Sequence, residues 1–279
     1  MVSSKFWVVP RLHTLRLGSH RQLAEAAYNF DRTQIRTLAL CDPNGHQLLP
    51  YPNVTDLTCI ESSHFRANIS FIGPPPISPR LKTLKINFSS LDFVRGTAAN
   101  VPNIFRRFTA PALSSLDVQQ LRLEPGELID FLHRSQCNLT TLVLRQCLLR
   151  ISGLLQILEC TPNLGSFSAV DGHSTMITNR LFQYLSIGSD AIVNLPRLSS
   201  LTIRGSFAFE DVALVQMLET RMAGEDPHSD GTFICFSDVF LSLPERTVKP
   251  EIKARLRHLQ GVTVSLECLN DNKIMCRAF

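Results

Sequence analysis

At 279 residues, with 44% hydrophobic and 19% charged side chains, the chain can build one or two domains and is too apolar to stay disordered. Its net charge of +4 is what remains of 28 basic and 24 acidic residues scattered without a block, so the concentrated basic stripe of a nucleic-acid binder is missing. Its 8 cysteines form no C-x-x-C pair and none has a histidine at zinc-finger spacing, which argues against a metal module and leaves buried free thiols as the expectation.

Near the start, the only apolar run is Phe6, Trp7, Val8 and Val9, too short for a signal-peptide core or a membrane span. The expectation is a cytoplasmic or nuclear chain with no membrane partner and no cofactor. The sequons at Asn53, Asn68, Asn87 and Asn138 then read as chance matches, because Asn and Ser/Thr are common in turns and strands.

From Leu12 onward one pattern recurs. It reads L-H-T-L-R-L at Leu12, I-R-T-L-A-L at Ile35, V-T-D-L-T-C at Val54, L-K-T-L-K-I at Leu81 and L-S-S-L-D-V at Leu113. It continues at Leu139, as L-G-S-F-S-A at Leu164 and as L-S-S-L-T-I at Leu198, with steps of 19 to 34 residues. The stretch over residues 138–149 carries it most fully. There Leu139, Leu142, Leu144, Cys147 and Leu149 fall in the spacing L-x-x-L-x-L-x-x-C-x-L, the leucine-rich-repeat template. In a short strand Leu142 and Leu144 face one side, toward a core, while Thr141, Val143 and Arg145 face the other. Cys147, at the ninth position, is expected to tuck inward where the chain leaves the strand.

Between strands, helical periodicity appears at Leu128, Ile129, Phe131 and Leu132 after Pro125, and at Leu154, Leu155 and Leu158 after Ile151. It recurs at Leu181, Phe182 and Leu185, and at Val212, Val215 and Leu218. Residues 21–30 read as an ordinary repeat helix. Prolines 10, 52, 79, 111, 162 and 196 stand shortly before the first apolar position of a repeat, where they end any helix. The proline-rich stretch F-I-G-P-P-P-I-S-P at residues 71–79 cannot be helical and reads as an extended connection.

These elements predict an α/β fold: a leucine-rich-repeat solenoid, a curved horseshoe with a parallel sheet on its concave side and helices on its convex side. Residues 1–11 are expected to be a tail or minimal cap, residues 12–224 about eight repeats, and residues 225–279 a C-terminal cap repeat. Within that cap the reading is a polar loop over 225–231, a strand over 232–243, a helix over 250–259 and a last strand over 262–266. No comparable cap precedes Leu12, so an upstream domain missing from this chain is expected.

The repeat series resembles the leucine-rich-repeat region of F-box proteins, particularly the large family of fungal members with irregular repeats. The resemblance rests on P-R-L-H-T-L-R-L at Pro10, S-P-R-L-K-T-L-K-I at Ser78, A-L-S-S-L-D-V at Ala112 and L-P-R-L-S-S-L-T-I at Leu195. It extends to L-V-Q-M-L-E-T-R at Leu214, V-K-P-E-I-K-A-R-L-R-H-L-Q at Val248 and V-T-V-S-L-E at Val262. It implies a substrate-recognition half, which in such proteins holds a protein partner on the concave face for a cullin-type ubiquitin ligase. The F-box pattern itself, a leucine-proline start followed by a short amphipathic run, is absent from residues 1–30. A Skp adaptor is therefore an expected partner only if an F-box lies upstream.

No nucleophile elbow, phosphate loop or metal spacing occurs. Asp171, His173 and Ser174 are too close in sequence to converge as a triad, and Cys147 is better placed as a structural thiol than as a nucleophile. The chain is expected to be non-enzymatic and to bind a protein through the strand residues between the core leucines. The first outward column, Thr14, Thr37, Asp56, Thr83, Ser115, Thr141, Ser166 and Ser200, is nearly all small hydroxyls and reads as structural. Specificity is expected in the other columns, from Arg16, Lys85, Asn87, Asp117, Gln119, Arg145 and Arg204, with apolar Ile60, Val143 and Val170 between them.

Overall fold

In the computed structural model, the residues described are 12–17, 31–41, 51–61, 75, 77–88, 104–106, 108–119, 123–171, 175–187, 193–223, 235–243, 247–259, 262–268 and 271–277. Most repeats open with the same turn. The N–H of Val54 donates to Tyr51 O, Leu81 to Ser78 O, Leu113 to Ala110 O, Leu164 to Thr161 O and Leu198 to Leu195 O, at 3.1 to 3.4 Å. The second residue of each turn is proline: Pro52, Pro79, Pro111, Pro162 and Pro196. Proline's fixed φ suits that place and it has no N–H to lose. These prolines therefore build the entry to each strand, beyond ending a helix. Ile35 has no such proline. Its turn, Arg32–Gln34, is a 3-10 turn capped by Asp31, whose carboxylate accepts from the N–H and the hydroxyl of Thr33 at 2.9 and 2.6 Å.

Two residues beyond each first apolar position a strand begins. The chain divides into two compact units, Met1–Leu121 with Asp130–Asn138, and Arg122–Ile129 with Leu139–Phe279. In the first unit β1 (Thr14–Leu17), β2 (Thr37–Cys41), β3 (Asp56–Glu61), β4 (Thr83–Phe88) and β5 (Ser115–Gln119) pair in sequence order, all parallel. In the second, β6 (Thr141–Arg145), β7 (Ser166–Val170), β8 (Ser200–Arg204), β9 (Asp238–Leu243) and β10 (Thr263–Cys268) do the same. Helices α1 (Pro125–Ser135), α2 (Ile151–Glu159), α3 (Asn179–Leu185), α4 (Asp211–Ala223) and α5 (Pro250–His258) alternate with the later strands. The fold is α/β with parallel strands, as expected.

Register is locked just before each strand by a repeated device. One carbonyl accepts from two successive N–H groups of the next repeat: His13 from Arg36 and Thr37, Arg36 from Thr55 and Asp56, and Thr55 from Lys82 and Thr83. The same pattern joins Lys82 to Ser114 and Ser115, Thr140 to Gly165 and Ser166, Gly165 to Ser199 and Ser200, and Ser199 to Ser237 and Asp238. The hydroxyls of Thr55, Ser114, Ser199 and Ser237 donate to the same carbonyls at 3.2 to 3.3 Å. The structural hydroxyl ladder thus stands one residue before the column read from sequence.

With register fixed, equivalent apolar side chains stack. In the first unit Leu38, Leu57, Leu84 and Leu116 form one lane and Leu40, Cys59, Ile86 and Val118 the next, all 0 to 2% exposed. In the second unit Leu142, Phe167, Leu201, Val239 and Val264 are followed by Leu144, Ala169, Ile203, Leu241 and Leu266. Small Ala169 sits two residues beyond large Phe167, which balances volume along β7. In the first unit Phe131 stacks against Phe105 and Phe108, with ring centroids 5.5 and 5.6 Å apart. Ser135 Oγ accepts from Ala110 N–H at 3.1 Å, and Arg134 donates to Phe105 O.

Among the described residues of the second unit, one buried side chain is charged. Arg221, on α4, is 0% exposed. Its guanidinium donates to Leu185 O at 2.6 Å, to Leu195 O at 3.3 Å and to Asn194 O, and lies 5.2 Å over the Phe236 ring. It ties the end of α3 to the turn that opens β8. Burial lowers its pKa to about 10, against opposing contributions from Cys235 and Tyr184, so it stays protonated at neutral pH.

Several expectations are corrected. The strand over residues 262–266 is not the last, because β11 (Asp271–Arg277) follows it and pairs antiparallel to β10. The strand expected over 232–243 runs only from Asp238, after Cys235, Phe236 and Ser237. Val212 is 43% exposed, and α4 instead buries Leu214, Val215, Met217, Leu218 and Arg221. Cys59 and Cys147 are buried thiols outside any disulfide, but Cys41, Cys137, Cys160 and Cys235, also outside any disulfide, are only half-buried. The readings for residues 1–11, 21–30 and 225–231, and most of 71–79, lie outside the described residues.

Candidate functional site on the outward strand faces

Along β2, β5, β6 and β7, alternate residues leave the core and stand half-buried. Parallel register sets them side by side in columns about 4.8 Å apart. On the first unit Lys85 is exposed and pairs in register with half-buried Asp117, while Asn87 pairs with Gln119 and has Ile60 on its other side. Four of the expected residues therefore form a two-by-two patch on β4 and β5. Arg16 does not join it. It is exposed on β1 beside Ala39, with β2 and β3 between it and Lys85.

On the second unit Arg145, Val170 and Arg204 occupy one register row across β6, β7 and β8, so the apolar residue lies between the two cations. Arg204 is 60% exposed at its side chain and approaches the Asp171 carboxylate at only 3.9 Å. A single solvent-exposed pair at that distance contributes little and leaves the guanidinium available to a partner.

The row ends where each strand turns away. Gln146 and Asp171 take left-handed backbone, with φ of 53° and 47°, and Gly205 follows β8 with φ of 128°. Asp171 N–H donates to Arg204 O at 2.6 Å, Gln146 N–H to Val170 O at 2.8 Å and Gly205 N–H to Ser242 O at 2.9 Å, which fixes the strand ends to one another. A Cβ on Gly205 would come within 3.1 Å of Asp171 Cα, so the close approach as well as the φ requires glycine there. Cys147 sits just past the first of these turns, fully buried, with its thiol 3.5 Å from Arg145 O. It lies in the ninth-position place expected of it.

The sequence reading missed the outward side of β9 and β10. Phe240 is half-buried, beside Thr202 on one side and Ser265 on the other, and Glu267 stands in register with Ser242. The alternation D-V-F-L-S-L was present, but its face could be assigned only once Val239 and Leu241 were known to join the core lanes.

Among the described residues no group of three or more His, Cys, Asp or Glu side chains could hold a metal ion. Burial raises the thiol pKa values of Cys137 and Cys160, Glu159 adding to the second, which disfavours nucleophilic thiolates. Of the Asp171, His173 and Ser174 grouping, the last two lie outside the described residues. No helix among the described residues is long and apolar enough to cross a membrane. No family model, curated protein or solved structure matches the chain.

Proposed function

We propose that this chain is a leucine-rich-repeat solenoid acting as a non-enzymatic protein-interaction module, similar to the substrate-recognition part of an F-box protein. In this reading the sheet lines the concave side of a horseshoe, and its outward columns hold a protein partner. The observation that carries it is the row Arg145, Val170, Arg204: two cations flanking an apolar spot on a register-locked surface. Arginine is enriched in protein interfaces and among the residues that carry most of their binding energy. Strictly sequential strand order within each unit favours a solenoid over a doubly wound sheet, whose strand order reverses at a switch point.

The test is capture of binding proteins from cell extract with three forms of the chain. One is unchanged, one carries Lys85→Glu, Arg145→Glu and Arg204→Glu on the strands, and one carries Arg150→Glu, Arg180→Glu and Arg197→Glu at exposed positions off them. Both variants change net charge equally. The proteins retained by the unchanged chain should be lost from the strand variant and kept by the other. Equal retention by both variants would remove the strand faces from the binding surface.

A further inference from the structure

The outward row on the second unit continues past Arg204. Register carries it from Arg145 to Val170, Arg204, Ser242 and Glu267, across β6 to β10. Its chemistry reads positive, apolar, positive, small and buried, negative. Neighbouring strands lie about 4.8 Å apart, so the two arginines stem from points about 9.6 Å apart, and Glu267 stands about 9.6 Å beyond Arg204. A ligand segment crossing the strands must present a matching group on one side at each of those intervals.

Backbone geometry selects which segment can do so. An extended strand advances about 10 Å in three residues, but its side chains alternate, so its first and fourth residues face opposite ways. A helix returns to the same side after seven residues and about 10.5 Å, overshooting by about 1 Å and drifting by about 20° at each step. A polyproline-II segment advances about 9.3 Å per three-residue turn and brings every third side chain back to the same side. Its repeat is the one that matches two strand spacings.

The rest of the surface fits such an occupant. One column inward from the row, half-buried Val143 and Phe240 are separated by the smaller side chains Ser168 and Thr202. The flat faces of proline rings can lie over the small side chains between those two apolar ones. Among the described residues the Arg204 side chain meets the half-exposed Asp171 carboxylate at 3.9 Å, a pair an incoming carboxylate can displace.

Resting on the interaction-module reading above, we propose that the outward face of β6 to β10 holds a polyproline-II segment of a partner protein. That segment carries acidic side chains at its first and fourth positions, over Arg145 and Arg204, and a basic one at its seventh, over Glu267.

Fluorescence anisotropy with labelled synthetic peptides tests it. The probes are E-P-P-E-P-P-K, the charge-reversed K-P-P-K-P-P-E, a spacing variant E-P-P-P-E-P-P-P-K, and an alanine-rich helical peptide with the same charges seven residues apart. The in-register peptide should bind at least about tenfold more tightly than the others. Asp171→Asn should strengthen that binding, and Arg145→Glu with Arg204→Glu should abolish it while leaving the melting curve in place. Equal binding of the spacing variant, preference for the helical peptide, or no binding of the in-register peptide would each overturn the proposal. If that happens while the strand variant still loses its captured proteins, the wider reading stands without this one. If the strand variant loses no captured protein, the wider reading fails on its own evidence.

Discussion

The single residue that most constrains this molecule is Arg221. Three backbone carbonyls, of Leu185, Asn194 and Leu195, converge on its guanidinium in a site closed to water. Replacing it by methionine keeps the stem and strands those carbonyls, each at about 1 to 3 kcal/mol. Urea unfolding of Arg221→Met should therefore show a loss of roughly 3 kcal/mol or more, whereas exposed Arg197→Ala should change stability by less than about 0.5 kcal/mol. Nearby, burial raises Tyr184 to about 12, reinforced by Glu159 and Cys160. The two groups pull alkaline stability in opposite directions. Folded Tyr184 keeps its proton above the unfolded value near 10, so its contribution is lost as pH rises from 10 toward 12. Folded Arg221 releases its proton near 10 while the unfolded chain keeps it to higher pH, so stability rises with pH above about 10. Tyr184→Phe removes the falling contribution and also the interaction that raises Arg221, which leaves the rising one larger. Its melting temperature should decline less steeply than that of the unchanged protein between pH 10 and 12, and an equal slope would count against the assignment. Neither feature was legible in the sequence. Arg221 stands at helical spacing from Leu214 and Leu218, an apolar-lane position where a charge is ordinarily read as solvated.

At the scale of elements, strands were far more legible than their entries. The spacing of two apolar residues one apart, three beyond a first, marks β1 to β8 because only an inward-facing alternation places all three in a core. β11 escaped because D-N-K-I-M-C-R carries no clear alternation, and its pairing is antiparallel, unlike every strand before it. The proline turns were visible as residues but not as structure, since the hydrogen bond that defines them closes on the first leucine of the next repeat. They make a paired prediction. Pro111→Ala keeps the turn but frees the unfolded chain, and should lower stability by about 0.4 to 1 kcal/mol in urea unfolding. Thr33→Pro installs proline in the one such turn described without it, yet it should destabilise by more than about 1 kcal/mol, because the Thr33 N–H is already committed to Asp31. Stabilisation by Thr33→Pro would mean that the Asp31 cap contributes nothing. The strand exits carry their own constraint. Gly205→Ala adds a Cβ within 3.1 Å of Asp171 Cα at a φ of 128°, and should cost roughly 1 to 3 kcal/mol.

At the scale of the whole molecule, what the sequence left open is how far one repeat feels another. The candidate cations were legible because an arginine at an outward strand position breaks with the repeat's apolar core pattern. Phe240 was not, because its face depends on which lane β9 joins. In a repeat array each strand contacts only its neighbours, so stability is a sum of local terms and an injury stays local. In a closed barrel or a single cooperative core, the same injury would lower protection everywhere. Leu201 is fully buried on β8, between Phe167 of β7 and Val239 of β9, and Leu201→Ala should remove about 2 to 5 kcal/mol there. Hydrogen exchange followed strand by strand should then show faster exchange in β7, β8 and β9, with β2 to β4 unchanged. Uniform loss of protection across all the strands would argue against the repeat reading, and with it against a binding surface assembled one repeat at a time. Arg204→Glu, one residue beyond Ile203 and pointing outward, should leave the same exchange pattern intact, because the outward residues are separable from the lanes that hold the strands together.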